Sequence, residues 1–202
     1  MALISYRILF VRHGETDYNA EGRLQGQRDI PLNRRGRAQA SAIGRALRLA
    51  MPGAIAALEA AEAFVASPLA RTRQTMELAR AALGRQPERD ALEPALKELT
   101  FGEWEGLTWP QVARRDPAGA RAREADKWNF APPDGESYAM LAERLRPWLE
   151  TLRADCFVVS HGGVARALMT LIAGVAPQAA ENAAVWQGKA ILFEGGGLSW
   201  IG

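Results

Sequence analysis

The 202-residue chain is short of the features that crosslink a protein or anchor it in a membrane. Its one cysteine, Cys156, cannot form a disulfide within the chain. Its place at the start of an apolar run fits a buried structural role in a reducing compartment. No apolar run approaches the roughly 20 residues that a membrane span needs. The N-terminus also lacks the pattern of a secretion signal. We therefore expect a cytoplasmic protein that does not act at a membrane.

Histidine and net charge are also scarce. The chain has two histidines and neither a His-Glu-x-x-His nor a paired-cysteine spacing, which argues against a catalytic zinc site. Its formal net charge of +2 is too small to indicate nucleic-acid binding. A P-loop is missing, and residues 135–139 lack the second glycine of a serine-hydrolase nucleophile elbow. We expect no metal and no other cofactor, although carboxylate-bound magnesium stays open.

The chain does have the alternation of short apolar and longer amphipathic runs that is typical of a βαβ protein. With 48% hydrophobic and 24% charged residues, its composition is that of a globular protein. A chain of 202 residues can form one domain with a sizeable core. Strands are predicted at Tyr6–Val11, Ala63–Ala66, Cys156–Val159, Ala184–Gln187 and Ile191–Glu194.

Capping residues mark the starts of two predicted helices. Asn33 can cap a helix that runs to about Leu49. Ser67-Pro68 combines a capping residue with a proline suited to a first turn, and predicts a helix to about Leu83. Pro147 predicts a kink or restart in a later helix, because proline lacks a backbone donor and clashes with the preceding turn. Further helices are predicted from Thr108, from Glu136 or Ser137 to about Leu152, and at Gly163–Ala173.

Both histidines follow short apolar runs. Residues 8–11 lead into Arg12-His13-Gly14, and residues 157–159 lead into Ser160-His161-Gly162-Gly163. Ligands of α/β sheets collect beyond the carboxyl ends of parallel strands, so we expect the two imidazoles to face one another there.

Arg12-His13-Gly14 is a combination that suits phosphoryl transfer. The arginine disfavours the protonated imidazole, so His13 is expected to be neutral and nucleophilic near neutral pH. The same guanidinium can hold a phosphate through two hydrogen bonds. Gly14 allows backbone amides to approach an anion closely.

Five blocks, which span nearly the whole chain, resemble the histidine phosphatase superfamily, the phosphoglycerate-mutase-like enzymes. The resemblance implies a three-layer α/β/α sandwich with a mainly parallel central sheet. Residues 1–202 would form one domain, with a small cap inserted at about residues 106–135 over the carboxyl ends of the strands. In chain order the blocks are Arg12–Gly36, Ser67–Thr75, Glu98–Gly106, Gly135–Ser137 and Ser160–Gly163.

The resemblance also implies roles for individual residues. His13 attacks phosphorus and carries the phosphoryl group, while Arg12 and Arg71 bind the phosphate. His161 stabilises the charge of the transferring group. Glu98 donates the proton that a leaving alkoxide needs.

Other residues are rivals or supporting candidates. Arg73 competes with Arg71, and Glu103 and Glu105 compete with Glu98. Thr16, Asn19, Gln25, Gly26 and Gly162 are candidate phosphate contacts, and Trp104, Trp109 and Trp128 are candidates for the substrate entrance.

We expect metal-independent hydrolysis of a small phosphorylated metabolite through phosphohistidine. The Gly-Arg-Leu-Gln-Gly block is similar to the phosphatase branch, which includes α-ribazole phosphatases and broad-specificity enzymes. Two alternatives stay open: a phosphoglycerate-mutase type of transfer and a non-catalytic phospholigand-binding module. The sequence specifies neither the alcohol that is released nor the oligomeric state.

Overall fold

A computed structural model describes residues 6–60, 63–84 and 91–201, and within them six strands form one sheet. In chain order these are β1 (Ile8–Arg12), β2 (Phe64–Ala66), β3 (Ala91–Leu92), β4 (Cys156–Ser160), β5 (Ala190–Glu194) and β6 (Gly197–Ile201). Across the sheet the order is β3-β2-β4-β1-β5-β6. The first four strands of this order run parallel, and β5 and β6 are antiparallel additions at one edge. The expected mainly parallel sheet is therefore confirmed.

Helices cover both faces of the sheet. Their order along the chain is α1 (Asp17–Ala20), α2 (Arg34–Ala50), α3 (Pro52–Ala60), α4 (Ala70–Leu83), α5 (Trp109–Arg115), α6 (Pro117–Ala125), α7 (Tyr138–Thr151), α8 (Gly162–Ala173) and α9 (Pro177–Ala180), with 3₁₀ turns at Pro94–Leu96 and Gly102–Trp104.

Strand β1 shows why the sheet has a hydrophobic core on each side. Successive side chains of a strand point to opposite faces. Ile8 and Phe10 pack in a cluster with α7 and α8, whereas Leu9 and Val11 pack in a second cluster with α2, α3 and α4. Burial of both faces explains why β1 reads as a continuous apolar run. The result is the three-layer α/β/α arrangement that was expected.

The register between β1 and β4 positions the two histidines. These parallel strands pair from Ile8 opposite Cys156 to Arg12 opposite Ser160. The amide of His13 continues the pairing by donating to the Ser160 carbonyl at 2.9 Å. The residues that follow each strand, His13 and His161, therefore leave the sheet side by side.

The prediction that Ser67 is the N-cap of the following helix is wrong. Helix α4 begins at Ala70, with Leu69 at the N-cap position and no side-chain cap. The Ser67 hydroxyl lies 2.8 Å from His161 Nε2 instead. The Ser67 hydroxyl that the local pattern assigned to the start of the helix therefore makes a tertiary hydrogen bond to His161.

The predicted strand at Ala184–Gln187 is also wrong. The C-terminal hairpin is formed by β5 and β6, which turn at Gly195 (φ 59°) and Gly196 (φ 77°). A tight hairpin turn of this kind needs positive φ at both central residues, which glycine adopts without strain. Gly195-Gly196 therefore marks the hairpin turn better than Gly188-Lys189, which separates the two strands that the sequence predicted.

Two other predicted helix starts are confirmed. Asn33 caps α2 by accepting from the Gly36 amide at 2.9 Å, and Ser137 caps α7 by accepting from Met140 at 3.1 Å. Helix α7 continues through Pro147, so the predicted restart does not occur.

Cys156 is buried, and burial raises the pKa of its thiol to about 12, which fits a structural role. No helix in the described ranges is long and apolar enough to cross a membrane.

Residues 106–135, the cap segment, contain α5 and α6. They are fixed to the body through a third hydrophobic cluster of Leu24, Trp104 and Val112. Trp104 is 1% exposed and stacks on Phe130 at a centroid distance of 5.5 Å. This aromatic packing holds the cap segment beside the carboxyl ends of the parallel strands.

Candidate active site

The two histidines meet where β1 and β4 end. The His13 and His161 rings are both buried, and their centroids lie 5.2 Å apart at an interplanar angle of 62°. The sheet register thus brings together the two imidazoles that the sequence placed at separate strand ends.

His13 is held in one tautomer by its own backbone neighbour. Its Nδ1 lies 2.7 Å from the Gly14 carbonyl oxygen. Because a carbonyl can only accept, Nδ1 carries the hydrogen and Nε2 keeps a free lone pair. Burial, and after it the charges of Arg71 and Arg12, hold the pKa of His13 well below its usual 6.5. Nε2 is therefore a neutral nucleophile at physiological pH.

His161 is fixed from the opposite side of the ring. Its Nε2 lies 2.8 Å from Ser67 Oγ, while its Nδ1 is buried and has no hydrogen-bond partner among the described residues. Burial, followed by the charge of Arg71, holds the pKa of His161 well below its usual value. An unpaired polar atom in this position is costly unless a ligand satisfies it.

Arg71 is oriented by a loop of the first block, at residues 26–28. It is completely buried, and its two terminal nitrogens donate to the carbonyls of Arg28 and Gly26, each at 2.8 Å. Its Nε finds no partner in the described part of the chain. Burial lowers the pKa of Arg71 to about 10, so the guanidinium stays charged.

Arg12 is also oriented by a backbone carbonyl. Its Nη1 donates to the Val185 carbonyl at 2.6 Å, and its buried Nε is without a partner in the ranges that the structure covers. Burial lowers the pKa of Arg12 from its ordinary value. The charges of Arg71 and Arg12 act on His13, the His161 ring packs against the His13 ring, and each of these three neighbours keeps one unpaired buried nitrogen. A phosphate anion is a ligand that such nitrogens can bind.

Glu105 holds the loop that orients Arg71. Its Oε1 accepts from the Gln27 amide at 2.9 Å and from the Thr100 hydroxyl at 2.8 Å. Gly26, with φ of 52°, leaves the space that this carboxylate occupies, because a Cβ there would collide with Glu105 Oε1. Glu105 thus acts on Arg71 through the backbone of the loop.

Glu98 lies in the wall of the same cleft. Its Oε2 accepts from the Gly163 amide and its Oε1 from its neighbour's amide at Leu99, both at 3.1 Å. A Cβ on Gly163 would collide with Glu98 Oε1, so the glycine makes room for the carboxylate. The rival Glu103 is instead exposed and pairs with Arg115 at 3.8 Å.

The histidine-bearing strand ends open into a cleft of about 340 Å³. His161 and Thr16 are not among the residues that line the cleft. The Thr16 hydroxyl donates to Gln25 Oε1 at 2.8 Å and supports that side chain, which does line it. The rival Arg73 is exposed and outside the cleft. The site candidates that do line the cleft are Arg12, His13, Asn19, Gln25, Gly26, Arg71, Glu98 and Gly162.

The cleft also contains residues to which the sequence reasoning gave no role. Arg166 lies one helical turn after Gly162, a spacing that could have indicated it, and Arg23 belongs to the first block. Lys127 gave no local signal. Of the three entrance tryptophans, Trp109 lines the cleft, whereas the other two pack elsewhere. The residues missed are Arg23, Leu24, Phe101, Lys127, Tyr138 and Arg166, and Arg123, a candidate extra cation of a mutase, lines the cleft with them.

Comparisons with known proteins identify the family and agree with the fold. The family model described as histidine phosphatase superfamily (branch 1) matches residues 8–195. A glucosyl-3-phosphoglycerate phosphatase of Mycolicibacterium vanbaalenii is 34% identical over 182 residues, which cover 84% of this chain and 75% of the relative. A metal-independent phosphoserine phosphatase of Arabidopsis thaliana is 37% identical over 169 residues, covering 80% and 66%. The crystal structure of a phosphoglycerate mutase from Thermus thermophilus superposes with a TM-score of 0.72 at 34% identity, covering 97% and 98%.

Proposed function

Because this chain belongs to the histidine phosphatase superfamily, we propose that it hydrolyses a small phosphomonoester through phosphohistidine at His13, without a metal. The observation that carries the proposal is the free Nε2 of His13 beside Arg12, Arg71 and His161, each of which keeps an unpaired nitrogen. The cleft volume of about 340 Å³ suits a small metabolite. A cytoplasmic location fits such a substrate.

The first step transfers the phosphoryl group to the enzyme. Arg12 and Arg71 hold the phosphate oxygens while His13 Nε2 forms a bond to phosphorus and the ester P–O bond breaks. Glu98 is the group that gives a proton to the departing alkoxide. We assign the His161 proton to Nδ1, with Ser67 donating to Nε2, so that Nδ1 donates to the spreading negative charge.

The second step returns the enzyme to its starting state. A water molecule gives a proton to the Glu98 carboxylate and attacks phosphorus, and the N–P bond to His13 breaks. Inorganic phosphate leaves, and His13 regains its lone pair. Positioned cations and hydrogen-bond donors from the chain itself supply the charge stabilisation, which is the main requirement of phosphoryl transfer.

Access to water favours hydrolysis over transfer to a second alcohol. Trp109 in the wall of the cleft is 41% exposed, and the side chains of Arg23 and Arg123 are half-buried. Water can therefore approach phosphohistidine without movement of the cap segment. A binding module without turnover is less well supported, since both the nucleophile and the acid are present.

A mutase is the second candidate. A mutase must hold a bisphosphate while it reorients, which needs cations beyond those that grip the transferring phosphate. Arg123, Lys127 and Arg166 line the same cleft, and a mutase from Thermus thermophilus is among the similar structures.

The test is turnover combined with trapping of the intermediate. With p-nitrophenyl phosphate in the presence of a chelator, the enzyme should release phosphate, and His13→Asn should abolish the release. A base-stable, acid-labile phosphate on the peptide that contains His13 should accumulate in rapid-quench samples. Turnover that survives in His13→Asn would overturn the mechanism. Faster formation of 2-phosphoglycerate than of phosphate from 3-phosphoglycerate would replace hydrolysis by mutase activity.

A further inference from the structure

Four cations that line the cleft have no part in the phosphoryl-transfer scheme, and one of them, Arg23, is paired with Glu21. Of the other three, Arg123 comes from α6, Lys127 from the turn after it, and Arg166 from α8, yet all three line the cleft that contains His13. Two of them belong to the cap segment and one to the body of the protein. The cleft thus has a second group of positive charges besides Arg12 and Arg71.

Neutral partners hold these cations in place. Lys127 Nζ donates to the Glu181 carbonyl at 2.6 Å and to Asn182 Oδ1 at 2.9 Å. Arg166 Nε donates to the Ala183 carbonyl at 3.0 Å. The Arg123 guanidinium lies over the Trp109 ring, 4.3 Å from its centroid. Carbonyls, an amide and an aromatic face orient the side chains without neutralising them.

The charges of the three side chains are left without a paired carboxylate. None of them comes within 4.0 Å of a carboxylate oxygen in the described ranges, although Glu181 acts on Arg123 and Lys127 from a greater distance. Burial, and after it the charges of Arg123 and Arg166, lower the pKa of Lys127. The cations therefore repel one another, and an anion placed between them would relieve that repulsion.

Arg166 connects this group to the phosphate site. A Cβ placed on Gly162 would lie 3.3 Å from Arg166 Nη1 and 3.6 Å from Arg12 Cζ, so the two guanidinium groups flank the same glycine. The second group of cations consequently begins next to the group that grips the transferring phosphate. A ligand that reaches both can have only a short spacer between its anionic groups.

We propose that the substrate is a short phosphomonoester whose alcohol carries a second anionic group, a carboxylate or a phosphate, bound by Arg123, Lys127 and Arg166. This inference rests on the proposed function, because it assumes that the transferring phosphate lies at Arg12 and Arg71. The three residues then determine specificity, while the chemistry stays with the strand ends.

The test compares substrates that differ in the second anion. The carboxylate arm pairs 3-phosphoglycerate with glycerol 3-phosphate, and the phosphate arm pairs propane-1,3-diol bisphosphate with its monophosphate. Within at least one arm, kcat/KM should be higher for the substrate with the extra anion by about 10-fold or more, the contribution of one charge-assisted hydrogen bond. The arm that shows the preference identifies the anion.

Variants then assign that preference to the cap segment. The double variant Arg123→Gln/Lys127→Gln should reduce the preference by about 10-fold or more. Arg114→Gln, an exposed arginine of the same segment outside the cleft, should leave it unchanged. Turnover that depends on His13 but shows no preference in either arm, or a preference that the double variant retains, overturns this inference alone. Absence of turnover that depends on His13 with every substrate overturns the proposed function and this inference with it.

Discussion

The buried histidine pair should make the folded protein sensitive to mild acid. His13 and His161 both have a pKa held well below 6.5 in the folded state, because burial and the arginine charges disfavour the protonated rings. In the unfolded chain each ring regains a pKa of about 6.5. Below that pH the unfolded state binds protons that the folded state rejects. Stability is therefore fully present above about pH 6.5 and is lost as pH falls towards the folded-state pKa.

The size of the loss follows from this linkage. At about pH 5.5 about ten unfolded rings in eleven are protonated, which removes between about 1 and about 2 kcal/mol of unfolding free energy per ring. With both rings neutral in the folded state, the pair removes about 3 kcal/mol between about pH 7.5 and about pH 5.5. Carboxylates with ordinary pKa values near 4 contribute little in this window. The loss is a large part of the roughly 5–15 kcal/mol that stabilises a typical domain.

The assay is urea unfolding followed by tryptophan fluorescence at several pH values, since the chain has six tryptophans. The wild type should lose about 3 kcal/mol across the window, and His13→Asn or His161→Asn about half of that. The double variant should be nearly independent of pH. Only the slope is compared, so a lower absolute stability of a variant does not affect the result.

Two outcomes would refute the reasoning. If the double variant keeps the wild-type slope, other groups cause the acid sensitivity. If the wild type shows no slope, the two rings accept protons in the folded state, and His13 is not held neutral by its surroundings. The same neutrality predicts that the acid limb of kcat/KM attributable to His13 lies below pH 6.5.

Two further predictions concern residues that position the site. Gly163→Ala would push its Cβ into Glu98. It should lower kcat about 10-fold more for an ester of a poorly acidic alcohol than for p-nitrophenyl phosphate, because the leaving group of the latter needs little protonation. Equal losses for the two substrates would contradict the role of Glu98. Glu105→Ala should weaken inorganic phosphate binding, measured by calorimetry, about 10-fold, because it releases the loop that orients Arg71; an unchanged affinity, or an equal loss in the exposed control Glu103→Ala, would contradict it.

The part of the site that the sequence predicts is the part that lies on the sheet. His13 and His161 follow apolar runs, and parallel strands of equal length necessarily end at one edge. The observed register, with Arg12 opposite Ser160, is a consequence of that rule. The pattern of apolar runs was sufficient to locate both histidines, because each of them is one residue beyond the end of its strand.

Sequence reasoning failed where a tertiary contact competed with a local pattern. Ser67-Pro68 has the residues of a helix start, yet the Ser67 hydroxyl lies against His161, which is 94 positions later in the chain. Lys127 is similar, because the carbonyl and amide oxygens that place it in the cleft belong to Glu181 and Asn182. Neither pairing leaves a periodic signal in the sequence.

This division between local and distant determinants has a consequence for how the protein could change specificity. The groups that we propose to act on phosphorus are fixed by paired strands, by the Gly14 carbonyl and by the loop that holds Arg71, so their positions are strongly restrained. Arg123 depends instead on the face of Trp109 within the cap segment, a contact that other side chains could replace without disturbing the sheet. Substitutions on α5 and α6 can therefore alter which alcohol is accepted while the geometry around His13 is preserved.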